Sequence, residues 1–324
     1  MTSKCFFLLF AAPLMAFSMT LPKEATNEGL PLFYWQEGSF INFGDYLSLK
    51  LIERIVEGPV RFYTKKKKDM DKKLLAIGSI FYFACDHDVV WGSGVNGKRL
   101  DKADYHFSEL DIRAVRGPLT RQFLIDNFNI HSPEIYGDPG LLFPYFFPEF
   151  RRKSVPSRDY IVILHYSEQN LFAKDSFHNV NSTDPWNEVL AKILDSQFVI
   201  SSSLHGIVMA EAYGIPARLL RITENEPMFK FQDYYAGTNR PYFQFATSIE
   251  EALQMGGEPP FQCNLKKLYE AFPFEFWPHS QFQFPDFERL PEKGFDQLLG
   301  FRSGPKADFS GSLGINAAKY TIFN

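Results

Sequence analysis

The sequence predicts an α/β protein built from two Rossmann-like parallel-sheet domains that face a cleft. Three observations carry this expectation. Short apolar runs alternate with amphipathic helical stretches, the alternation breaks at a proline-bearing segment and then restarts, and polar, glycine-bearing turns recur where the apolar runs end. At 324 residues the chain is long enough for two cores. The expected organisation is a leading segment over 1–29, a first α/β domain over 30–150, a second over 151–275 and an irregular tail over 276–324.

In the first half, Leu32-Phe33-Tyr34-Trp35 reads as a strand, followed by a loop from Gln36 to Gly44. Asp45 can cap a helix to about Glu57, because Leu47, Leu51, Ile52, Ile55 and Val56 share one face and Gly58 stops it. Val60–Tyr63, Leu74–Ile77, Asp88–Trp91 and Asp111–Val115 read as further strands. Pro118 suits the first turn of a helix through Phe128. Gly137-Asp138-Pro139-Gly140 opens a short apolar stretch, and the polar, proline-rich run from Phe147 to Asp159 reads as a linker. The second half repeats the pattern. Tyr160–Leu164 is a strand, Asp184-Pro185 opens a helix through Leu194, and Gln197–Ile200 is a strand. A helix carrying His205 and a strand over Ala217–Ile222 follow, with Cys263–Phe272 as a further helix.

Composition narrows the function classes. Hydrophobic residues make up 45% and charged residues 22%, as in a soluble globular protein. The aromatic share is 17%, with 35 Phe, most of them for a core and some available to a carbohydrate groove. A net charge of −4 offers no basic field for nucleic acid. Cys5, Cys85 and Cys263 have neither zinc spacing nor a disulfide framework, which suits a reducing compartment. The start pulls the other way. Lys4 precedes an apolar stretch from Cys5 to Phe17, and Ala16-Phe17-Ser18 resembles a cleavage site, so an export signal and an upstream extension with initiation at Met15 or Met19 both stand. The run Lys65–Lys68 reads as a solvated loop, with a membrane-surface contact as the alternative.

Four turns at strand ends have the composition of ligand-binding loops. Asn42-Phe43-Gly44-Asp45 combines a close backbone approach with a helix N-terminus that favours anions. Gly92-Ser93-Gly94 is a glycine pair at a strand end, without the dinucleotide fingerprint. Arg116, in Val115-Arg116-Gly117-Pro118, can clamp a phosphate or carboxylate, or form an ordinary interdomain or surface ion pair. Ser201-Ser202-Ser203-Leu204-His205-Gly206 is the most informative, since it presents hydroxyls, backbone N–H groups and an imidazole where a strand gives way to a helix. Lys230 and Asp233 sit on a helix that either faces the cleft or carries a surface ion pair. No histidine spacing or carboxylate cluster points to a metal, and no G-x-S-x-G elbow makes Ser203 a nucleophile.

In order, Asn42–Asp45, Trp91–Gly94, Val115–Pro118, Gly137–Gly140 and Ser203–Gly206, the last extended through Glu211-Ala212-Tyr213-Gly214-Ile215-Pro216, resemble the polysaccharide pyruvyl transferase family over about residues 30 to 250. The resemblance implies a fold similar to GT-B glycosyltransferases and transfer of pyruvate from phosphoenolpyruvate onto sugar hydroxyls, giving a cyclic ketal on a polysaccharide or its lipid-linked precursor, with no cofactor. It makes His205 the catalytic acid/base and Arg116 the group against the donor, with Asn42, Gly44, Asp45, Gly92, Ser93, Gly94, Ser203 and Lys230 binding substrate. Some relatives carry arginine where this chain has Ser203, which leaves the donor site one positive charge fewer. A cytosolic donor implies a cytoplasmic enzyme, with peripheral membrane association beside lipid-linked acceptors; the signal-like start is the opposing cue. A nucleotide-sugar glycosyltransferase and a non-catalytic glycan-binding protein are the alternatives that the same fold allows.

Overall fold

The computed structural model describes residues 29–37, 40–63, 72–171 and 177–287. The signal-like start, the lysine run and the last part of the tail lie outside the described residues. The first half comprises β1 (Leu32–Phe33), a hairpin of β2 (Gln36–Glu37) and β3 (Phe40–Ile41), α1 (Phe43–Ile55), β4 (Leu74–Leu75), β5 (Val89–Trp91), β6 (Asp111–Ala114), α2 (Pro118–Phe128) and α3 (Phe143–Phe146). The second comprises β7 (Ile161–Leu164), β8 (Asn179–Asn181), α4 (Trp186–Leu194), β9 (Val199–Ser201), α5 (Leu204–Ala212), β10 (Ala217–Leu220), α6 (Phe229–Gly237), β11 (Phe245–Ala246), α7 (Ile249–Met255) and α8 (Leu265–Glu270).

Both main sheets are wholly parallel. One runs β1-β4-β5-β6 and the other β8-β7-β9-β10-β11. Parallel sheets are covered on both faces, so their strands read as unbroken apolar runs, and Val89-Val90-Trp91 and Ile161–Leu164 are buried along their whole length. One cluster of buried side chains runs through both halves, from Leu32, Leu51 and Trp91 to Ile163, Val199 and Val208.

Local chemistry explains most element ends. In α2, Pro118 occupies the first turn, and Asn129 closes the helix in the left-handed conformation at φ 55°, which asparagine tolerates. The start of α1 differs from expectation. Asn42, not Asp45, holds the cap position, and neither side chain caps the helix. The first helical N–H is satisfied from the other half instead, since Phe43 N donates to Ser182 O at 2.7 Å. That frees Asp45 to accept from Asn42 Nδ2 at 2.7 Å. The expected strand at Val60–Tyr63 contracts to a single bridge between Phe62 and Leu32, because β1 offers only two residues to pair with. The expected loop after Trp35 contains the β2–β3 hairpin.

The linker read from Phe147 holds no helix or strand, yet it begins buried: Phe147 stacks on Phe143 at 4.6 Å and meets Trp186 of α4 at 5.8 Å. The tail is irregular but packed as far as it is described. Trp277 is fully buried and stacked on Phe272, Trp91 Nε1 donates to Leu268 O at 2.7 Å, and Ser280 Oγ donates to Val56 O at 2.8 Å. Six of the 35 phenylalanines gather here, Phe272, Phe274, Phe276, Phe282, Phe284 and Phe287.

The two halves also meet where α2 packs on α6. Gly117 and Gly237 have no room for a Cβ, since one would strike the Asp233 carbonyl and the other the Arg116 carbonyl. Across this contact Arg116 Nε donates to Asp233 Oδ2 at 3.1 Å, with Nη2 at 3.0 Å, and both side chains are fully buried. Asp233 also accepts from Thr120 N at 2.9 Å and Thr120 Oγ1 at 2.7 Å. A buried ion pair is costly to break from one side, because the remaining charge has no solvent. Asp233→Ala should therefore lower the stability of the folded chain by about 3–5 kcal/mol, read from the urea midpoint, whereas an exposed control such as Glu224→Ala should stay within about 0.5 kcal/mol.

Candidate functional site

In the second sheet, β7 sends its chain toward β8 on one side, while β9 sends its chain toward β10 on the other. A crevice opens beyond the carboxyl ends of strands at such a switch point, and open α/β sheets bind their ligands there. His165 directly follows β7, and the turn Ser202-Ser203 links β9 to α5. The first sheet faces the same crevice with the residues that follow its own strands. The result is a cleft of about 380 Å³ lined by Trp35, Asn42, Asp45, Ser79, Tyr82 and Asn96 from the first half and by His165, Tyr166, Ser203, His205 and Lys230 from the second. Lys98 and Arg99, at 46% and 49% side-chain exposure, complete its rim.

The three serines do different things. Ser201 Oγ lies 2.7 Å from Ile163 O and accepts from Ser203 N at 3.0 Å, while Ser202 Oγ accepts from His165 N at 2.9 Å. These two hydroxyls staple the turn to β7. Ser203 alone lines the cleft. Gly206 is required by the same staple, since a Cβ there would overlap Ser201 Oγ.

His205 sits in the first turn of α5 with its ring pressed on Gly44 of α1, where no Cβ fits. Its Nε2 lies 3.5 Å from Asp138 Oδ2, and neither atom has a hydrogen-bonding partner among the described residues. Asp138 is held by its other oxygen, which accepts from Gly140 N at 2.9 Å. Asp45 closes the second side. Burial raises its carboxyl above the usual range, against the pull of the His205 charge and the Asn42 hydrogen bond.

A separate network surrounds Glu226. It accepts from Lys98 at 2.7 Å, pairs with Lys230, and stands 3.5 Å from His165 Nδ1. Burial pushes this carboxyl up, but Lys230, His165 and the bonds from both lysines outweigh it and hold it below its ordinary value. Burial lowers Lys230, with Glu226 opposing. For His165 burial, then the Lys230 charge, push the imidazole down to about 3 while Glu226 resists.

Two expected residues stand elsewhere. The Arg116 guanidinium does not line the cleft. Besides Asp233, it donates from Nη1 to Ser79 Oγ at 2.5 Å and from Nη2 to Val95 O at 2.7 Å, so it backs the loops that form the wall. Asp233, expected either toward the cleft or in a surface ion pair, is instead the deeply buried counter-ion of Arg116. The Gly92-Ser93-Gly94 turn also lies behind the wall. Gly92 takes φ 78° against Pro139, Ser93 Oγ donates to Gly78 O at 2.8 Å, and Gly94 yields its Cβ space to Arg116. His165, Tyr166, Trp35, Lys98 and Arg99 were not singled out in the sequence, although His165 and Trp35 lie at the ends of strands that the sequence located. Among the described residues, no three His, Cys, Asp or Glu side chains group to hold a metal, and no helix is long and apolar enough to cross a membrane.

A switch-point cleft walled by two parallel sheets and furnished with imidazoles, lysines and buried carboxylates is equipped for group transfer to or from an anion. Residues 37–223 match the family model described as polysaccharide pyruvyl transferase, and the chain belongs to that family of enzymes. It is 28% identical over 213 residues to the succinoglycan biosynthesis protein ExoV of Rhizobium meliloti (strain 1021), covering 62% of this chain and 63% of ExoV. It is 27% identical over 229 residues to the uncharacterized protein L143 of Acanthamoeba polyphaga mimivirus, covering 66% of this chain and 78% of L143. A crystal structure of the uncharacterized Klebsiella pneumoniae protein KP1_0663 aligns at a TM-score of 0.37 and 13% identity, over 67% of this chain and 93% of that one, a likeness too slight to argue from.

The setting of His165 has a measurable consequence. An unfolded histidine takes up its proton near pH 6.5, whereas the folded one stays neutral down to about 3. Between those values the unfolded chain binds the extra proton, so stability falls as the pH falls. The urea midpoint of His165→Gln should decline less steeply than that of the parent protein over this window. Parallel profiles for the two proteins would contradict the assignment.

Proposed function

We propose that this enzyme transfers the pyruvyl group of phosphoenolpyruvate to two hydroxyls of a glycan or its lipid-linked precursor, releasing phosphate and leaving a cyclic ketal. The observation that carries this reading is His205, which enters a cleft shared by both halves with Asp138 at 3.5 Å and Lys98 and Lys230 lining the same space. The donor is a phosphate and a carboxylate on a three-carbon unit. Lys98, Arg99 and Lys230 supply the cationic surroundings it needs, and their presence offsets the charge missing at Ser203.

His205 acts as general acid to the methylene carbon of the donor, with Asp138 and Asp45 beside its ring. Asn42 and Gly44 position this unit, Asn42 through Asp45 and Gly44 by the space it leaves for the ring. Arg116 acts one layer back, holding Ser79 and α6 in place, and Gly92, Ser93 and Gly94 support the same wall. The two facing sheets support a GT-B-like arrangement with domains near 30–150 and 151–275. The reaction belongs in the cytoplasm, where the donor is made.

Phosphoenolpyruvate at 100 times its dissociation constant should stabilise the protein by about 2.7 kcal/mol in a thermal-shift assay, with UDP-sugars and GDP-sugars giving no comparable shift. His205→Ala should lower pyruvate transfer by at least about 100-fold while retaining that stabilisation. Near-parental turnover in the variant would refute its role, and stabilisation by a nucleotide sugar alone would favour glycosyl transfer.

A further inference from the structure

One side of the cleft has no use in holding a compact anion. Trp35, from the first half, stacks on Tyr166, from the second, with ring centroids 5.2 Å apart and planes at 26°. Tyr166 in turn lies 4.4 Å from the His165 ring. The His165 backbone is pinned by Ser202, and its Nδ1 lies 2.7 Å from Ser167 Oγ and accepts from Ser167 N at 3.4 Å, so the neutral ring carries its proton on Nε2, which has no hydrogen-bonding partner among the described residues. Nearby on the same cleft wall, Asn96 Oδ1 is buried without a partner. An aromatic surface beside an unfilled ring N–H and an unfilled carbonyl acceptor matches a pyranose, which offers a face of C–H bonds and a rim of hydroxyls that both accept and donate.

We infer that the acceptor sugar is a pyranose seated against the Trp35–Tyr166 pair, with His165 Nε2 donating to one ring hydroxyl and Asn96 Oδ1 accepting from another. The assignment rests on the pyruvyl-transfer reading and adds the acceptor seat to it. His165 is a binding residue in this seat. Burial, then the Lys230 charge, hold the ring neutral with Glu226 opposing, so it presents a single N–H to the sugar.

The test uses the full chain with methyl β-galactopyranoside and methyl β-glucopyranoside as probes, in saturation-transfer NMR and in phosphate-release kinetics with phosphoenolpyruvate. At least one glycoside should show saturation concentrated on the C–H protons of one ring face. That signal should be lost in Trp35→Ala and retained in Trp35→Phe. In kinetics, Trp35→Ala should raise the acceptor KM several-fold with the donor KM unchanged, and Asn96→Ala should do the same. Absence of any glycoside signal from the parent protein, an undiminished signal in Trp35→Ala, or an unchanged acceptor KM in Asn96→Ala would overturn the inference. Failure of the donor reading is read separately, from the absence of stabilisation by phosphoenolpyruvate in the parent protein, and the glycoside spectra then decide the acceptor seat alone.

Discussion

The buried contact between Arg116 and Asp233 fixes the frame on which the cleft depends. One partner leaves the first sheet at β6, and the other lies on α6, the helix that also carries Lys230. The same guanidinium reaches Ser79 and Val95, in the loops that follow β4 and β5. A single planar cation with several donors therefore sets the relative positions of two wall-forming loops and a helix from the other half. Glycines at 94, 117 and 237 are the counterpart of this arrangement, since each gives up side-chain volume so that the backbones and the guanidinium can close on one another.

Around this frame the cleft divides its charges. Carboxylates of Asp45 and Asp138 flank His205, while lysines surround His165 and share Glu226 as their counter-charge. Neither set relies on solvent, because most of these groups are buried. Desolvation is the largest influence on Asp45, His165, Glu226 and Lys230 alike, and the neighbouring charges then decide how far each departs from its ordinary behaviour. Residue type alone, two histidines and two lysines, would not separate these roles. Position at the ends of adjacent strands does.

Local features of the chain were legible. Pro118 and the stretch that follows it mark α2 at both ends, and the apolar run, serine turn and glycine stop mark β9 and α5 around His205. Features that depend on distant partners were not. Arg116 reads either as a clamp or as an interdomain or surface ion pair, and its partner stays unnamed because it lies 117 residues away and nothing in the intervening chain signals the pairing. Asp45 reads as a helix cap because the group that actually satisfies the helix start, the Ser182 carbonyl, comes from the other half. The short strands β8 and β11 carry too few residues for a periodicity to register. His165 escaped for a different reason: weighed for metal spacing alone, a lone histidine after an apolar run looks ordinary, although the end of a parallel strand was itself the relevant signal.

The contact between Gly44 and the His205 ring couples two distant positions of the chain. The volume that any larger side chain would need at 44 is already filled by the imidazole, down to its Cβ. For as long as histidine stands at 205, only one amino acid is open to position 44. Only exchange of the ring for a smaller side chain would lift that constraint on the helix.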